Sequence, residues 1–548
     1  MRGVAALEIA LLPKKPPSRK PPRRGRADKA PFADILDSLD EETLARVREM
    51  LRAEMGAFDD AEADALALFG QLLDRVGGAE ELSDLDDVSL FEESVAALTQ
   101  VGIDTNGGDP QARKVKAAIV QKLDAALAAE RLDAAGLVLI AKILNDSGWS
   151  VPETLKMRVV EQLESAPPAS AGAGDLSSAL ADIAASAEDD PFAAYDAMNS
   201  VLVAFPSEAA ARMVVTLAIE RAPVLLHALA GFAMHRDPVL ARAAIEALKG
   251  VAAGDRVESK LVERMVRMRP WLPAERQGPL DEAIRALRAR TREPVEMSPP
   301  QAARCFVMAC DGSGAGGALA SVKADGGWRF VEAMTKPGGV EDVLSMEGLR
   351  KADADSTVRA MRENVLAAQT DVAGLARYLQ IALGENVASQ TPPPFKLIGL
   401  FEALGLGPIA PRVISAADLI AEMLAESPAA ETDAAALAKA HKLAPGGPLA
   451  ENWFEAGQPV ERLLAPLRGP KARIKALLAD YLPQRRAYWT RVVALTAFAL
   501  QLDRKAFGAL GRHLALVGRD IADGAALDQM PLMREIAETT VRAYESRH

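Results

Sequence analysis

Short, alanine-rich helical runs fill most of this chain, and their period breaks decisively in one place. Residues 303–334 read ARCFVMACDGSGAGGALASVKADGGWRFVEAM, with clustered glycines and an alternating apolar pattern in place of the helical one. A chain built this way is constrained to be mainly helical, with one small β-element inserted between helical blocks. Its 548 residues exceed what one core can organise, so three or four domains or a repeat array are expected. Aromatic residues make up only 4%. Leu, Ala and Val must therefore fill the cores, which suits closely spaced helices better than a β-sandwich.

The rest of the chain divides as follows. Residues 13–30, PKKPPSRKPPRRGRADKA, are basic and proline-rich and are read with the preceding residues as a disordered tail over 1–30. Residues 31–165 form a helical domain, with Asp40 as a helix cap and runs near 60–75, 90–101, 111–129, 133–147 and 153–164. The small-residue stretch APPASAGAG, 166–174, is a linker, followed by a helical domain over 175–295. A β-meander spans 300–345, helices fill 346–426, a connector runs over 427–449 and a helical block closes the chain at 450–548.

Within 222–251 the pattern is regular enough to place side chains. Leu225, Ala228, Leu229 and Phe232 form one stripe; Asp237 and Pro238 start a second helix, with Leu240, Ala244, Leu248 and Val251 inward. The stretch Asp237-Pro238-Val239-Leu240-Ala241-Arg242-Ala243-Ala244-Ile245-Glu246-Ala247-Leu248 resembles the second helix of a HEAT or armadillo-like repeat, with Arg242 one position later than the repeat's arginine. That resemblance implies an α-solenoid of stacked antiparallel helix pairs and names no ligand.

The glycine cluster invites three readings. Gly312, Gly314 and Gly317 spell GxGxxG after an apolar run, with Glu332 twenty residues after Gly312, the spacing of a dinucleotide fingerprint. Only Ala318–Ala324 is available for the helix that must follow, which is barely two turns. Second, a strand ending in Asp311-Gly312-Ser313-Gly314 and followed by a hairpin is similar to the opening of ribonuclease H-like and actin-like folds. There the residue matching Asp311 would bind a metal or contact a phosphate, but further carboxylates on later strands are required and 346–425 reads as helix. Third, the stretch forms three antiparallel strands, 303–310, 317–323 and 328–334, with Phe306, Met308, Leu319 and Phe330 on one face and Trp328 at an edge.

The other concentrated feature is 468–491. Arg468, Lys471, Arg473, Lys475, Arg485, Arg486 and Arg491 face a single acid, Asp480, and Tyr481, Tyr488, Trp489 and nearby Trp453 accompany them. Basic residues mixed with aromatics can grip phosphates and stack bases, present a protein-binding surface, or be a helix pair whose aromatics are buried. Tyr488 and Trp489 are adjacent and cannot both face a core.

Several classes are disfavoured. A net charge of −12 argues against a protein that coats nucleic acid over its whole surface. No apolar run reaches the roughly 18–20 residues of a membrane span. Val4–Leu12 is short, contains Glu8 and precedes the basic tract, the reverse of a secretory signal. Cys305 and Cys310 lie five apart, which on a strand puts them on opposite faces, so neither a mutual disulfide nor a shared metal is expected and a reducing cytoplasm fits best. The histidines are scattered, Ser313 lies in no nucleophile elbow, and no Walker-type loop is present. No catalytic residue, cofactor or metal is therefore assigned; Asp311, Gly312, Gly314 and Gly317 are the residues that would carry a phosphate. The chain is expected to be a non-catalytic helical scaffold that binds another protein. The alternatives are nucleic-acid association through Lys14–Lys29 and 468–491, and an enzyme using a nucleotide or metal at 311–317.

Overall fold

The structure is a computed structural model that describes residues 65–77, 88–106, 109–165, 183–187, 189–220, 222–251, 257–291, 302–324, 326–426, 449 and 452–546. All lie in the unit Glu62–His548. The expected basic tail, the Asp40 helix start, the linker 166–174 and nearly all of the connector 427–449 lie outside the described residues.

Helices begin where a side chain can satisfy the first free N–H groups. After α1 (65–77) and α2 (Val88–Asn106), Asp109 accepts from Gln111 N at 2.6 Å to start α3 (Pro110–Ala128), and Asp133 accepts from Gly136 N at 2.7 Å to start α4 (Ala134–Asp146). Phe69, Leu72, Leu98, Ile119, Leu123, Leu137 and Ile140 are buried in the shared core, and the Trp149 indole N–H donates to Leu98 C=O at 2.8 Å. Helix α5 (Glu153–Ser165) closes this block.

The second block carries α6 (Pro191–Leu202), α7 (Ser207–Glu220), α8 (Pro223–Phe232), α9 (Pro238–Val251), α10 (Ser259–Met268) and α11 (Ala274–Arg288). The pair α8–α9 has the expected stripes: Leu225, Ala228, Leu229, Phe232, Leu240, Ala244 and Leu248 are all buried, and Asp237 accepts from Val239 N at 2.8 Å. Helix α7 packs on α9, and α9 on α11. This helix-on-helix packing is compatible with a helical-repeat protein.

The β-element is larger than the three strands expected. Strands β1 (Ala302–Met308), β2 (Gly316–Ala324), β3 (Gly327–Lys336), β4 (Gly339–Leu349) and β5 (Ala367–Thr370) form an antiparallel sheet in the order β4-β3-β2-β1-β5. The stretch 346–426 is therefore not wholly helical. The alternation in β4 is interrupted where the β3–β4 register shifts, and β5 has four residues, too short to display a period. The predicted face of Phe306, Met308, Leu319 and Phe330 is present, covered by Val358 of α12 (Lys351–Asn364). The opposite face, with Val307, Ala320, Val331 and Ala333, joins the main core together with α13 (Val372–Ser389) and α14 (Leu397–Ala403). Cys310 lies beyond the end of β1, so it and Cys305 do not occupy opposite faces of a strand; both free thiols are buried in that main core.

The sheet edge is closed by a side chain acting as a strand. Asn386 accepts from Val340 N at 2.8 Å and donates to Val340 C=O at 3.1 Å. The second helical block is fastened to α14 by a buried pair, Arg264 (side chain 3% exposed) on Glu402 (14%), with contacts of 2.6 and 2.9 Å. Burial pushes the Glu402 carboxyl up, but Arg264 outweighs it and holds the group below its ordinary range. Arg267 and the Trp271 indole donate to the carbonyls of Leu406 and Ile409, so the segment after α14 is tied to α10 and its end. The C-terminal block comprises α15 (Ala416–Glu426), α16 (Gln458–Leu464), α17 (Pro470–Ala476), α18 (Arg486–Leu502), α19 (Gly508–Ala522) and α20 (Pro531–Glu545), with α18 against α19 and α15 on both. Among the described residues, no helix is long and apolar enough to cross a membrane.

Two histidines make this fold acid-sensitive. Burial first, and then the Arg264 charge, lower His227 to about 4, although Glu258 lies 3.0 Å from its ring nitrogen and opposes this; burial likewise lowers His235 to about 4. The unfolded chain takes up these protons from about pH 6.5, the folded chain only near pH 4. Stability is thus intact above the unfolded value and falls between the two. Urea midpoints should decline from pH 6.5 to 4, and His227→Gln should flatten that decline; equal slopes in the two proteins would contradict the assignment.

Candidate functional site

The glycine loop and the basic-aromatic stretch, far apart in sequence, meet at one junction. Within the loop the Asp311 carboxylate folds back: Oδ1 accepts from Ser313 N at 2.8 Å, from Ser313 Oγ at 2.7 Å and from Ala315 N at 3.0 Å. Asp311 N donates to Ala315 C=O at 2.8 Å, Gly314 N to Asp311 C=O at 3.0 Å, and Gly312 N to Asn452 C=O at 2.9 Å. Five successive N–H groups, Asp311 to Ala315, thus have protein acceptors, whereas a phosphate cradle needs them aimed at the anion. The element that follows is strand β2, not the helix of a dinucleotide fingerprint. Strand β5 lies beside β1 but antiparallel to it. Glu332 stands on β3, its carboxyl raised by burial.

Two of the glycines answer to packing. A Cβ on Gly312 would lie 2.7 Å from the Asn452 carbonyl oxygen, 2.8 Å from Phe454 N and 2.9 Å from the Phe454 carbonyl oxygen. Gly314 has φ +75°, and a Cβ there would lie 3.1–3.2 Å from side-chain atoms of Arg491, Pro337 and Tyr488.

The basic-aromatic stretch supplies the other side of this junction. The Tyr488 hydroxyl donates to Gly312 C=O at 2.7 Å, the Trp453 indole to Cys310 C=O at 2.7 Å, and Cys310 N donates to Thr496 Oγ1 at 3.1 Å. Arg491 grips Glu385 of α13 through contacts of 2.6 and 2.5 Å. Glu455, buried, receives Arg485 Nε and the Trp489 indole, each at 2.9 Å, and Arg485 lies 3.8 Å from the Tyr488 ring centroid. Arg486 donates to the carbonyls of Ile521 and Ala525 at the end of α19. Arg473 pairs with Glu545 at 2.8 Å over the Tyr544 ring. Of the residues that could form a macromolecule-binding surface, Arg473, Arg485, Arg486, Tyr488 and Trp489 are thereby engaged internally, whereas Arg468, Lys471 and Lys475 are exposed. Trp489 is fully buried and Tyr488 half-buried, as their adjacency requires.

Burial pushes the Cys310 thiol up to about 12. It does the same to the Tyr488 phenol, against the opposing Arg485 charge. Neither group is a nucleophile near neutrality. Sequence reasoning missed Glu385, Glu455 and Thr496, whose roles come only from contacts made by distant segments.

A second feature had no sequence signal at all. A cleft of about 640 Å³ opens between the two N-terminal helical blocks and the segment 391–396, with Tyr195, Asn199, His235, Asp237, Phe395 and Lys396 among its walls. Tyr195 packs against Phe232 and Phe395, with ring centroids 4.7 and 5.4 Å away. Ser207 Oγ donates to Asp237 at 2.5 Å and Asp237 N donates to His235 Nδ1 at 3.1 Å. These three residue types do not make a catalytic triad, because the serine is bonded to the aspartate and not to the imidazole. The Asn199 carboxamide oxygen is buried without a donor.

Two family models match the chain: the Y4lR second domain over residues 206–291 and the Y4lR C-terminal helical domain over residues 416–545. The first stretch spans α7–α11 and the second α15–α20; the chain is similar to those domains there, and neither is a HEAT or armadillo family. No curated protein matches the chain, and no solved structure does.

The close approach at Gly312 has a measurable consequence. Gly312→Ala forces backbone against backbone and should cost about 1–3 kcal/mol, while Tyr488→Phe, losing one hydrogen bond, should cost about 1 kcal/mol. Urea denaturation checks both; an unchanged Gly312→Ala midpoint would contradict the packing described.

Proposed function

We propose that this chain is a non-catalytic helical scaffold that binds another protein, and that the cleft beside Tyr195 is where the partner docks. The observation that carries this reading is the cleft: about 640 Å³, walled by two helical blocks and by the segment leading into α14. That volume falls within the range of ligand pockets, and the lining mixes the Tyr195 and Phe395 rings with many polar and charged side chains. The Arg264–Glu402 pair and the carbonyl contacts of Arg267 and Trp271 join the second helical block, which forms one wall, to α14 and the segment after it.

The internal commitments of Asp311–Ala315 weigh against an enzyme at the glycine loop. Nucleic-acid association would rest on Arg468, Lys471 and Lys475 together with the basic tract, a smaller surface than the sequence suggested.

A photo-crosslinking residue placed at exposed Ser150, on the cleft wall, discriminates the readings from one placed at exposed Lys471. In native lysate the Ser150 position should yield one discrete protein adduct that resists nuclease and is lost when Tyr195→Asp is added. Adducts only from Lys471, abolished by nuclease, would favour nucleic acid and overturn the scaffold reading.

A further inference from the structure

One face of the sheet is covered along only part of its length. Phe306, Leu319 and Phe330 lie beneath Val358 of α12, with Met346 packed beside them. Cross-strand partners share a face, so the register carries this face on through Leu319, Glu332 and Leu344, and then through Gly317, Met334 and Asp342. Along those two rows the cover fails. Met334 is 40% exposed and Leu344 42%, and the two are diagonal neighbours on adjacent strands.

Glu332 stands between Leu319 and Leu344 in the same patch. Among the described residues nothing pairs or hydrogen-bonds with its carboxylate, and burial raises that group with no cation opposing. The nearby cations are taken, Lys336 by Glu341 at 2.6 Å and Arg329 by Glu347 at 3.1 Å. Glu332 is nevertheless only partly buried, so a group arriving from outside can reach it. A carboxylate that has lost much of its water and gained no counter-charge favours a cation over any other neighbour. Asp342, exposed on the same face, has the same sign. A second copy of the chain laid on this patch would set acid against acid, and an acidic partner would do the same.

We infer that this bare end of the sheet docks an apolar segment of a partner protein that carries a lysine or arginine, with Met334 and Leu344 taking the apolar side chains and Glu332 the cation. Of the residues named, only Asp342 also lines the cleft beside Tyr195. The inference therefore goes beyond the cleft reading and does not depend on it.

A random dodecapeptide library displayed on phage is panned on the full chain and counter-selected on the full chain carrying Glu332→Gln. Clones that depend on Glu332 should carry a Lys or Arg flanked by Leu, Ile, Met or Phe. Peptides synthesised from them should lose about tenfold in affinity in Glu332→Gln. They should also lose binding in Leu344→Asp and keep it in Tyr195→Asp. Rising salt should weaken binding to the parent more than to Glu332→Gln. Without peptide, the melting temperature of Glu332→Gln should equal or exceed the parent's, whereas a structural role for this carboxylate would lower it and contradict the inference. The inference is also overturned by dependent clones without a basic residue, by binding lost in Tyr195→Asp, by the absence of dependent clones, or by a dimer of the parent that Leu344→Asp dissolves. None of these results bears on the Ser150 adduct, so the cleft reading and this one fail separately.

Discussion

At Gly312 two stretches of backbone pass so closely that no side chain fits between them. The carbonyl of Asn452 and the backbone of Phe454 lie within 2.9 Å of where a Cβ would stand, and Gly312 N donates to the Asn452 carbonyl. This approach lets Trp453 reach the Cys310 carbonyl, and it brings Tyr488 onto the Gly312 carbonyl. One residue further on, Glu455 collects Arg485 and Trp489. The sheet and the C-terminal helices are therefore joined through main-chain groups that would otherwise be buried without partners, each worth roughly 1–3 kcal/mol if left unsatisfied. The glycine loop is a structural joint.

The other end of the sheet layer is fastened differently. Arg264 and Glu402 are buried against each other, and Arg264 also stacks over the Phe192 ring at 5.0 Å. Such a pair adds little net stability over a well-packed apolar substitute, but it strongly penalises any arrangement that separates its members. It therefore acts on geometry, holding the second helical block in register with α14. The cleft beside Tyr195 shares this framework, since Phe395 at the entry to α14 forms one of its walls.

The helical blocks were legible because their signals are local. Asp109, Asp133 and Asp237 cap the helices that follow them, and the apolar stripes of α8 and α9 are read directly from spacing. The sheet face of Phe306, Met308, Leu319 and Phe330 was legible for the same reason. Strands β4 and β5 were not, one being irregular in register and the other four residues long. The basic-aromatic stretch was read for its composition, yet Arg473, Arg485 and Arg486 owe their roles to Glu545, Glu455 and two carbonyls near the end of α19. Such long-range pairings leave no periodic trace. The cleft was invisible because Asn199, His235 and Phe395 meet only once the helices are stacked.

Native-state hydrogen exchange at the loop amides tests the structural-joint account most directly. If the loop is bolted between sheet and C-terminal helices, the amides of Gly312, Ser313, Gly314 and Ala315 should open with the same free energy as those in the middle of α18. Exchange of these four at the rate of an open surface loop, with α18 still protected, would contradict it.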